Sequence, residues 1–259
     1  MINLEIRGKP VDDIDLIIFD KDGTLFELYP YWAVVATRRA ENICRAIYRN
    51  KSVIDLDLAE QISVLMGVNN QKRRMEYNGA IGRLNRKEIK ELIFFYLEGR
   101  GIRITSKIIE DAFAEADQYL AENNDALKQS LVPVRGIMDL LPVVASGSKC
   151  AIFSYDQTCN LERIARIMHI DRYLSAFVGG DLTRHPKPSP LDTIKIMRDL
   201  NTSPKNTMFV GDSINDMYSG RDAGCKCLVA IKSDISNIDL ISQVANFVID
   251  DYTGIKVRQ

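Results

Sequence analysis

Four apolar residues, Leu16-Ile17-Ile18-Phe19, run directly into Asp20-Lys21-Asp22-Gly23-Thr24. A short run that is apolar at every position reads as a parallel strand buried on both faces. Open α/β sheets bind ligands in the crevice beyond the carboxyl ends of their strands, and this run delivers two carboxylates there. Alternate strand residues point the same way. A chain that stays extended past Asp20 would therefore turn Asp20 and Asp22 towards one pocket and aim Lys21 away from it. Gly23 then lets the backbone turn off. One carboxylate so placed can attack a phosphorus centre while the other handles a proton. The alternative is a strand end followed by a solvated turn, because Asp and Gly are common turn residues.

Composition narrows the partners. The chain has 259 residues, 46% hydrophobic and 27% charged, with a net charge of −1. That is enough for a sizeable core and one or two domains. Nothing in it points to nucleic acid or a membrane as partner. No apolar run approaches the ~20 residues that span a bilayer. The start, Met1-Ile2-Asn3-Leu4-Glu5, lacks the basic-then-apolar pattern of a secretory signal, so the cytoplasm is the expected location. Cys44, Cys150, Cys159, Cys225 and Cys227 form no CxxC pair and read as reduced thiols in small buried spaces. His169 and His185 are the only histidines, which excludes an imidazole-rich metal site. Any metal must be held mainly by oxygen, and that favours Mg2+.

Two textures alternate along the chain. Short β-like runs recur at Leu16–Phe19, Cys150–Ser154, Phe177–Gly179, Thr207–Val210, Cys227–Ile231 and Phe247–Ile249, interleaved with helical stretches. This pattern argues a parallel sheet with crossover helices. Residues 30–130 differ. Tyr31–Asn50, Asp57–Met66, Arg86–Arg100 and Ser106–Lys128 carry apolar residues at helical spacing, and no strand signal is present. Asn85 with Glu88 reads as a capping box, and Gly99 or Gly101 as the end of that helix. The expected architecture is α/β: a Rossmann-like core of residues 1–29 and 131–259, with an all-helical domain of residues 30–130 inserted after the two carboxylates as a lid.

Three later sites carry chemistry. The strand candidate Cys150–Phe153 ends in Ser154, and Asp156-Gln157-Thr158 then begins a helix. A hydroxyl beside helix-start N–H groups can hold a phosphate oxygen, although Ser and Asp at helix starts are usually caps. Lys187 sits in His185-Pro186-Lys187-Pro188-Ser189-Pro190, where prolines pre-set the backbone around one ammonium group suited to phosphate. The alternative is a proline-rich surface loop ahead of a helix. Thr207-Met208-Phe209-Val210-Gly211-Asp212 is another apolar strand that delivers a carboxylate, and Asp216 follows four residues on. Such a pair can hold Mg2+ or can simply be a cap and a dipole-favoured Asp. Gly211 at the strand end suggests close backbone approach.

In their order and spacing these four sites resemble the haloacid dehalogenase superfamily. The likeness is to its phosphoglycolate phosphatase-like and β-phosphoglucomutase-like members with a helical C1 cap. Asp20-Lys21-Asp22-Gly23-Thr24 is similar to the first motif, Ser154 to the second, Lys187 to the third, and Gly211-Asp212-Ser213-Ile214-Asn215-Asp216 to the fourth. The resemblance implies that Asp20 is a nucleophile forming an aspartyl-phosphate, and that Asp22 is the general acid and then the base. It implies that Ser154 and Lys187 hold the phosphoryl group. It places Mg2+ on Asp20, the main-chain carbonyl of Asp22, Asp212 and Asp216.

Those roles imply a Mg2+-dependent phosphatase acting on a small phosphorylated metabolite, either a sugar or a carboxylic acid. A carboxylate at position 22 disfavours dehalogenation. A mutase that returns the phosphoryl group to a sugar would use the same two residues. A non-catalytic binding protein on the same fold would not need to keep them. The sequence departs from the phosphoglycolate phosphatases at Leu25-Phe26-Glu27-Leu28, at Lys21 and in the length of the insert. Substrate selection should therefore lie in the cap. Lys72, Arg73 and Arg74, after Met66-Gly67, are the candidates to meet an anionic substrate, against a solvated basic face.

Overall fold

The computed structural model describes residues 1–48 and 55–258. The chain opens with β1 (Ile2–Ile6) and β2 (Lys9–Ile14), which pair antiparallel, and enters β3 (Leu16–Phe19) directly. The next stretch holds α1 (Leu28–Ile47), α2 (Leu56–Met66), β4 (Val68–Asn69), β5 (Arg74–Met75), α3 (Arg86–Gly99), α4 (Ser106–Glu122) and α5 (Asn124–Ser130). Alternating helices and strands follow: α6 (Ile137–Ala145), β6 (Lys149–Phe153), α7 (Thr158–Ile167), β7 (Ala176–Val178) and α8 (Leu191–Asp199). The chain finishes with β8 (Thr207–Gly211), α9 (Ile214–Asp222), β9 (Cys227–Ile231), α10 (Ile238–Ile241), β10 (Phe247–Ile249) and β11 (Ile255–Arg258). It divides into two compact units, Met1–Glu27 with Pro133–Gln259, and Leu28–Val132.

The first unit is an α/β fold. Its six-stranded sheet has the order β10-β9-β8-β3-β6-β7, and every neighbouring pair is parallel. All four residues of β3 are buried, as a strand covered on both faces requires. Leu16 and Ile18 face a core with Phe153, Ile196, Phe209, Met217 and Leu228. On the other face the Phe19 ring lies 6.4 Å from that of Tyr252. From β3 the chain runs outward to β6 and β7, then crosses back to β8 on the opposite side. The order therefore reverses between β3 and β8, and the carboxyl ends of these two strands form the crevice where such sheets take ligands.

A second sheet, β11-β1-β2, is antiparallel and does not figure among the strands expected from the sequence. It joins the two ends of the chain, with Leu4 opposite Val257 and Ile6 opposite Ile255.

The second unit is built mainly of helices, and α1 packs against α2 and α4. Asn85 caps α3 through a complete capping box with Glu88, as its sequence suggests. Arg39 is buried here. Its guanidinium lies 4.3 Å from the centre of the Phe113 ring and 3.2 Å from Asp117. The expectation of no strand in this stretch is corrected by the hairpin of β4 and β5, each only two residues long and too short to show a period-two pattern. Asn69 holds its loop, accepting from the Lys72 amide at 2.9 Å and donating to Glu76 at 2.8 Å. The single helix expected over Ser106–Lys128 is broken at Asn123, whose amide and side chain both donate to the Tyr119 carbonyl. The helix expected over Tyr31–Asn50 begins earlier, at Leu28, and positions 49 and 50 lie outside the described residues.

Candidate active site

β3 ends at Phe19, but the ladder runs one residue further. The Asp20 amide donates to the Val210 carbonyl at 2.9 Å, which ties Asp20 to the end of β8. Beyond it the chain bends. The Lys21 carbonyl accepts from the amides of Thr24, Leu25 and Phe26, Gly23 takes φ +78°, and the Gly23 amide donates to Phe26 at 2.7 Å. The extended chain expected past Asp20 is thus replaced by a tight turn. Lys21 does not point away from its neighbour. Its ammonium stands 3.1 Å from Asp22 Oδ2. Tyr252 supports the turn from below, its buried hydroxyl donating to the Thr24 carbonyl at 3.1 Å.

Lys187 reaches the same place from the proline-rich loop. It is 4% exposed, so the surface-loop alternative does not describe this side chain. Its Nζ lies 2.6 Å from Asp20 Oδ1 and 2.6 Å from Asp216 Oδ1, and it donates to the Phe153 carbonyl at 3.1 Å. Burying one ammonium without partners costs several kcal/mol, and two carboxylates with a carbonyl offset that cost. Desolvation alone would lower the lysine pKa. Asp20 and Asp216 outweigh it and hold the group above its ordinary value.

Asp212 follows β8 and is buried. Its Oδ2 accepts from Ser233 Oγ at 2.6 Å, and its carbonyl accepts from Ser236 Oγ at 2.7 Å. Asp216 is buried at the third position of α9, where it closes a capping box with Ser213. Gly211 makes this possible. A Cβ there would lie 2.4 Å from the Asp216 Cβ and 2.5 Å from its carboxyl carbon. Ser154 follows β6 directly and is buried, with its amide donating to the Val178 carbonyl at 3.0 Å and its hydroxyl accepting from the Asp156 amide at 3.3 Å. Asp22 keeps a side chain 24% exposed.

The electrostatics of the group are unbalanced. Asp20, Asp212 and Asp216 each offer a buried carboxylate oxygen, all within 4.8 Å of one another, against the one ammonium of Lys187. Burial pushes Asp20 up to about 7, with Asp216 adding to the effect and Lys187 opposing it. Burial, then the charges of Asp20 and Asp216, raise Asp212 well above the carboxylate range. Burial also raises Asp22, against Lys21. An all-oxygen donor set with surplus negative charge fits a hard divalent cation, which would relieve the repulsion that raises these groups.

The basic run lies elsewhere in the chain. Lys72, Arg73 and Arg74 are all exposed and belong to the helical unit. Arg74 pairs with Glu76 at 3.3 Å. Arg73, at φ +51°, helps line a cavity of about 610 Å3 within that unit. Arg38 lines it too, stacked 3.7 Å over the Tyr119 ring.

Reading the sequence missed Ser233, Ser236 and Tyr252. Ser233 had a usable signal, since it follows the apolar run Cys227–Ile231 after one intervening residue, as Asp212 follows Thr207–Val210. The cysteines are free thiols. Cys44, Cys150 and Cys227 are buried as expected, whereas Cys159 is exposed. Among the described residues, no helix is long and apolar enough to cross a membrane.

The chain is similar to known proteins. A phosphoglycolate phosphatase of Aquifex aeolicus (strain VF5) is 26% identical over 155 residues, covering 58% of this chain and 70% of its own length. One from Shigella boydii serotype 4 (strain Sb227) is 24% identical over 226 residues, covering 83% of this chain and 80% of its own. Other curated relatives are matched over only 46% of their length. The crystal structure of a predicted phosphoglycolate phosphatase from Haemophilus somnus 129pt superposes with a TM-score of 0.68, at 19% identity, over 93% of this chain and 96% of that one. That likeness shows the fold. The family model for haloacid dehalogenase-like hydrolases matches residues 14–224, a span that runs from the strand delivering Asp20 past the helix bearing Asp216. The chain therefore belongs to the haloacid dehalogenase-like hydrolases.

Proposed function

We propose that this protein is a Mg2+-dependent phosphatase that hydrolyses a small phosphomonoester, a phosphorylated carboxylic acid or sugar, through an aspartyl-phosphate on Asp20. The observation that carries the reading is the buried group in which Lys187 lies 2.6 Å from both Asp20 and Asp216, with Asp212 completing a carboxylate cluster within 4.8 Å. The names of the curated relatives support the acid branch of the substrate class.

Asp20 attacks phosphorus through a carboxylate oxygen. The bond from phosphorus to the leaving oxygen breaks, and Asp22 gives that oxygen its proton. Water then attacks the phosphorus of the aspartyl-phosphate while Asp22 takes a proton from it, which releases phosphate and restores Asp20. Lys187 and Ser154 offset the charge of the phosphoryl oxygens. Asp20, Asp212, Asp216 and the main-chain carbonyl of Asp22 would hold Mg2+. When bound, the ion supplies positive charge that lets an anionic carboxylate approach an anionic phosphate. Within the basic run of Lys72, Arg73 and Arg74, Arg73, which lines the cavity of the helical unit, is proposed to select anionic substrates.

The test is a panel of phosphorylated acids and sugars with Mg2+, read as phosphate release. Stoichiometric phosphate from one member supports the reading. An isomerised sugar phosphate without free phosphate replaces it with a mutase, and no turnover of any member overturns it.

A further inference from the structure

Lys21 brings into the interior a charge that the mechanism above does not use. Its side chain is 1% exposed. The ammonium bridges two carboxylates, Asp22 Oδ2 at 3.1 Å and Asp156 Oδ2 at 2.8 Å. Asp156 is itself fixed. Its Oδ2 accepts from Asn160 Nδ2 at 2.6 Å, and its Oδ1 accepts from the Gln157 amide at 2.8 Å. Lys21 thus ties the turn after β3 to the start of α7 through a braced anchor.

A buried ammonium between two carboxylates is seldom the most stabilising filling for a site, because an apolar side chain of similar volume avoids the desolvation cost. The bridge does restrict Asp22. That side chain is 24% exposed and short, and without a partner it can rotate towards water. A proton donor needs its oxygen within hydrogen-bond reach of the leaving oxygen, and small misplacement costs rate steeply.

We propose that Lys21 is a positioning residue for Asp22, holding its carboxyl group in register with the leaving oxygen by clamping it to Asp156. The inference rests on the phosphatase reading, in which Asp22 protonates that oxygen as the phosphorus–oxygen bond breaks. Its signature is dependence on the leaving group. An alkoxide needs the proton, whereas the nitrophenolate of p-nitrophenyl phosphate leaves without it. Loss of the clamp should slow only the first.

The experiment compares kcat/KM of wild type, Lys21→Met and Asp156→Asn on p-nitrophenyl phosphate and on the best alkyl ester of the panel, with thermal unfolding of each variant. Lys21→Met should lose about 10–100-fold on the alkyl ester, part of what a positioned acid contributes, and less than about threefold on the nitrophenyl ester. Asp156→Asn should show the same asymmetry, smaller, and it decides the matter if Lys21→Met does not fold. An equal loss on both esters, or a loss on neither, overturns the proposal, since a merely structural role does not distinguish leaving groups. Wild-type protein that cleaves neither ester overturns the phosphatase reading and the role of Lys21 with it.

Discussion

Lys187 Nζ lies 2.6 Å from Asp20 Oδ1, so the ammonium proposed to meet an incoming phosphoryl group already holds the carboxylate proposed to attack it. Asp216 grips the same nitrogen at 2.6 Å. The contact spans two parts of the chain that a sequence keeps far apart, the end of β3 and the proline-rich loop before α8. It locates the site on the carboxyl edge of the sheet, at the reversal of strand order between β3 and β8.

Asp20→Asn keeps the shape of the proposed nucleophile and removes its charge. Turnover should fall at least ~10³-fold, the scale of losing an essential group, and no phosphorylated protein should be trapped on rapid quenching. Lys187 keeps Asp216 as partner, so the thermal midpoint should stay within a few degrees, about what 1 kcal/mol moves in a chain of this size. A variant within tenfold of wild type would remove Asp20 from the nucleophile role.

Metal and pH should act together on stability. Asp20 titrates near 7 in the fold, and Asp212 also titrates well above its usual value, chiefly through burial. Unfolded carboxylates titrate at about 4. Between those values the folded protein binds more protons, so metal-free stability should fall as pH rises from about 4 to about 7. Mg2+ needs the ionised carboxylates and should reverse that loss. Its stabilisation, read as the shift in unfolding midpoint on adding Mg2+, should be larger at pH 8 than at pH 5. A shift that is equal at both, or absent, would count against the carboxylate cluster as the metal site.

Gly211→Ala places a methyl group 2.4 Å from the Asp216 Cβ and 2.7 Å from its Oδ2. The backbone of β8 is held on both sides by β3 and β9, so Asp216 must give way. Overpacking of this kind costs about 1–3 kcal/mol, and here it should fall on the carboxylate. The expected result is a Mg2+ requirement raised at least ~10-fold, the scale of disturbing a group that orients a metal ligand, with a folded protein by circular dichroism. An unchanged metal requirement would mean that Asp216 is not needed to hold the ion.

All six strands of the parallel sheet were legible as short apolar runs, the partly buried β7 and β10 included. β3, β6, β8 and β9 read as short apolar runs because both faces are covered. β1 was also legible, since Ile2, Leu4 and Ile6 are buried and alternate with the less buried Asn3 and Glu5. β2, with Lys9, Pro10, Asp12 and Asp13, has no such pattern and is specified by its pairing with β1. The position of Lys21 was not legible, because alternation assumes an extended chain. Three amides converging on the Lys21 carbonyl win locally and turn its side chain beside Asp22. Pairing Ser233 and Ser236 with Asp212 needed the strand order, which shows that the loop after β9 adjoins the end of β8.

The basic run separates into residues with different prospects. Arg74 already faces Glu76 at 3.3 Å, and an exposed pair of this kind contributes little and leaves less charge for a ligand. Arg73 lines the 610 Å3 cavity of the helical unit together with Arg38, a setting in which a guanidinium can take a carboxylate or phosphate through two parallel hydrogen bonds. Removing one such contact costs roughly 1.5–3 kcal/mol, or about 10–150-fold in kcat/KM. Arg73→Ala should therefore lower kcat/KM by that amount on an anionic substrate and leave a neutral-bodied ester within about twofold. Arg74→Ala should leave both nearly unchanged. The ratio of the two specificity constants in each variant is the measurement. If Arg73→Ala keeps the wild-type ratio, the run is a solvated face and substrate choice is made by other residues of the chain.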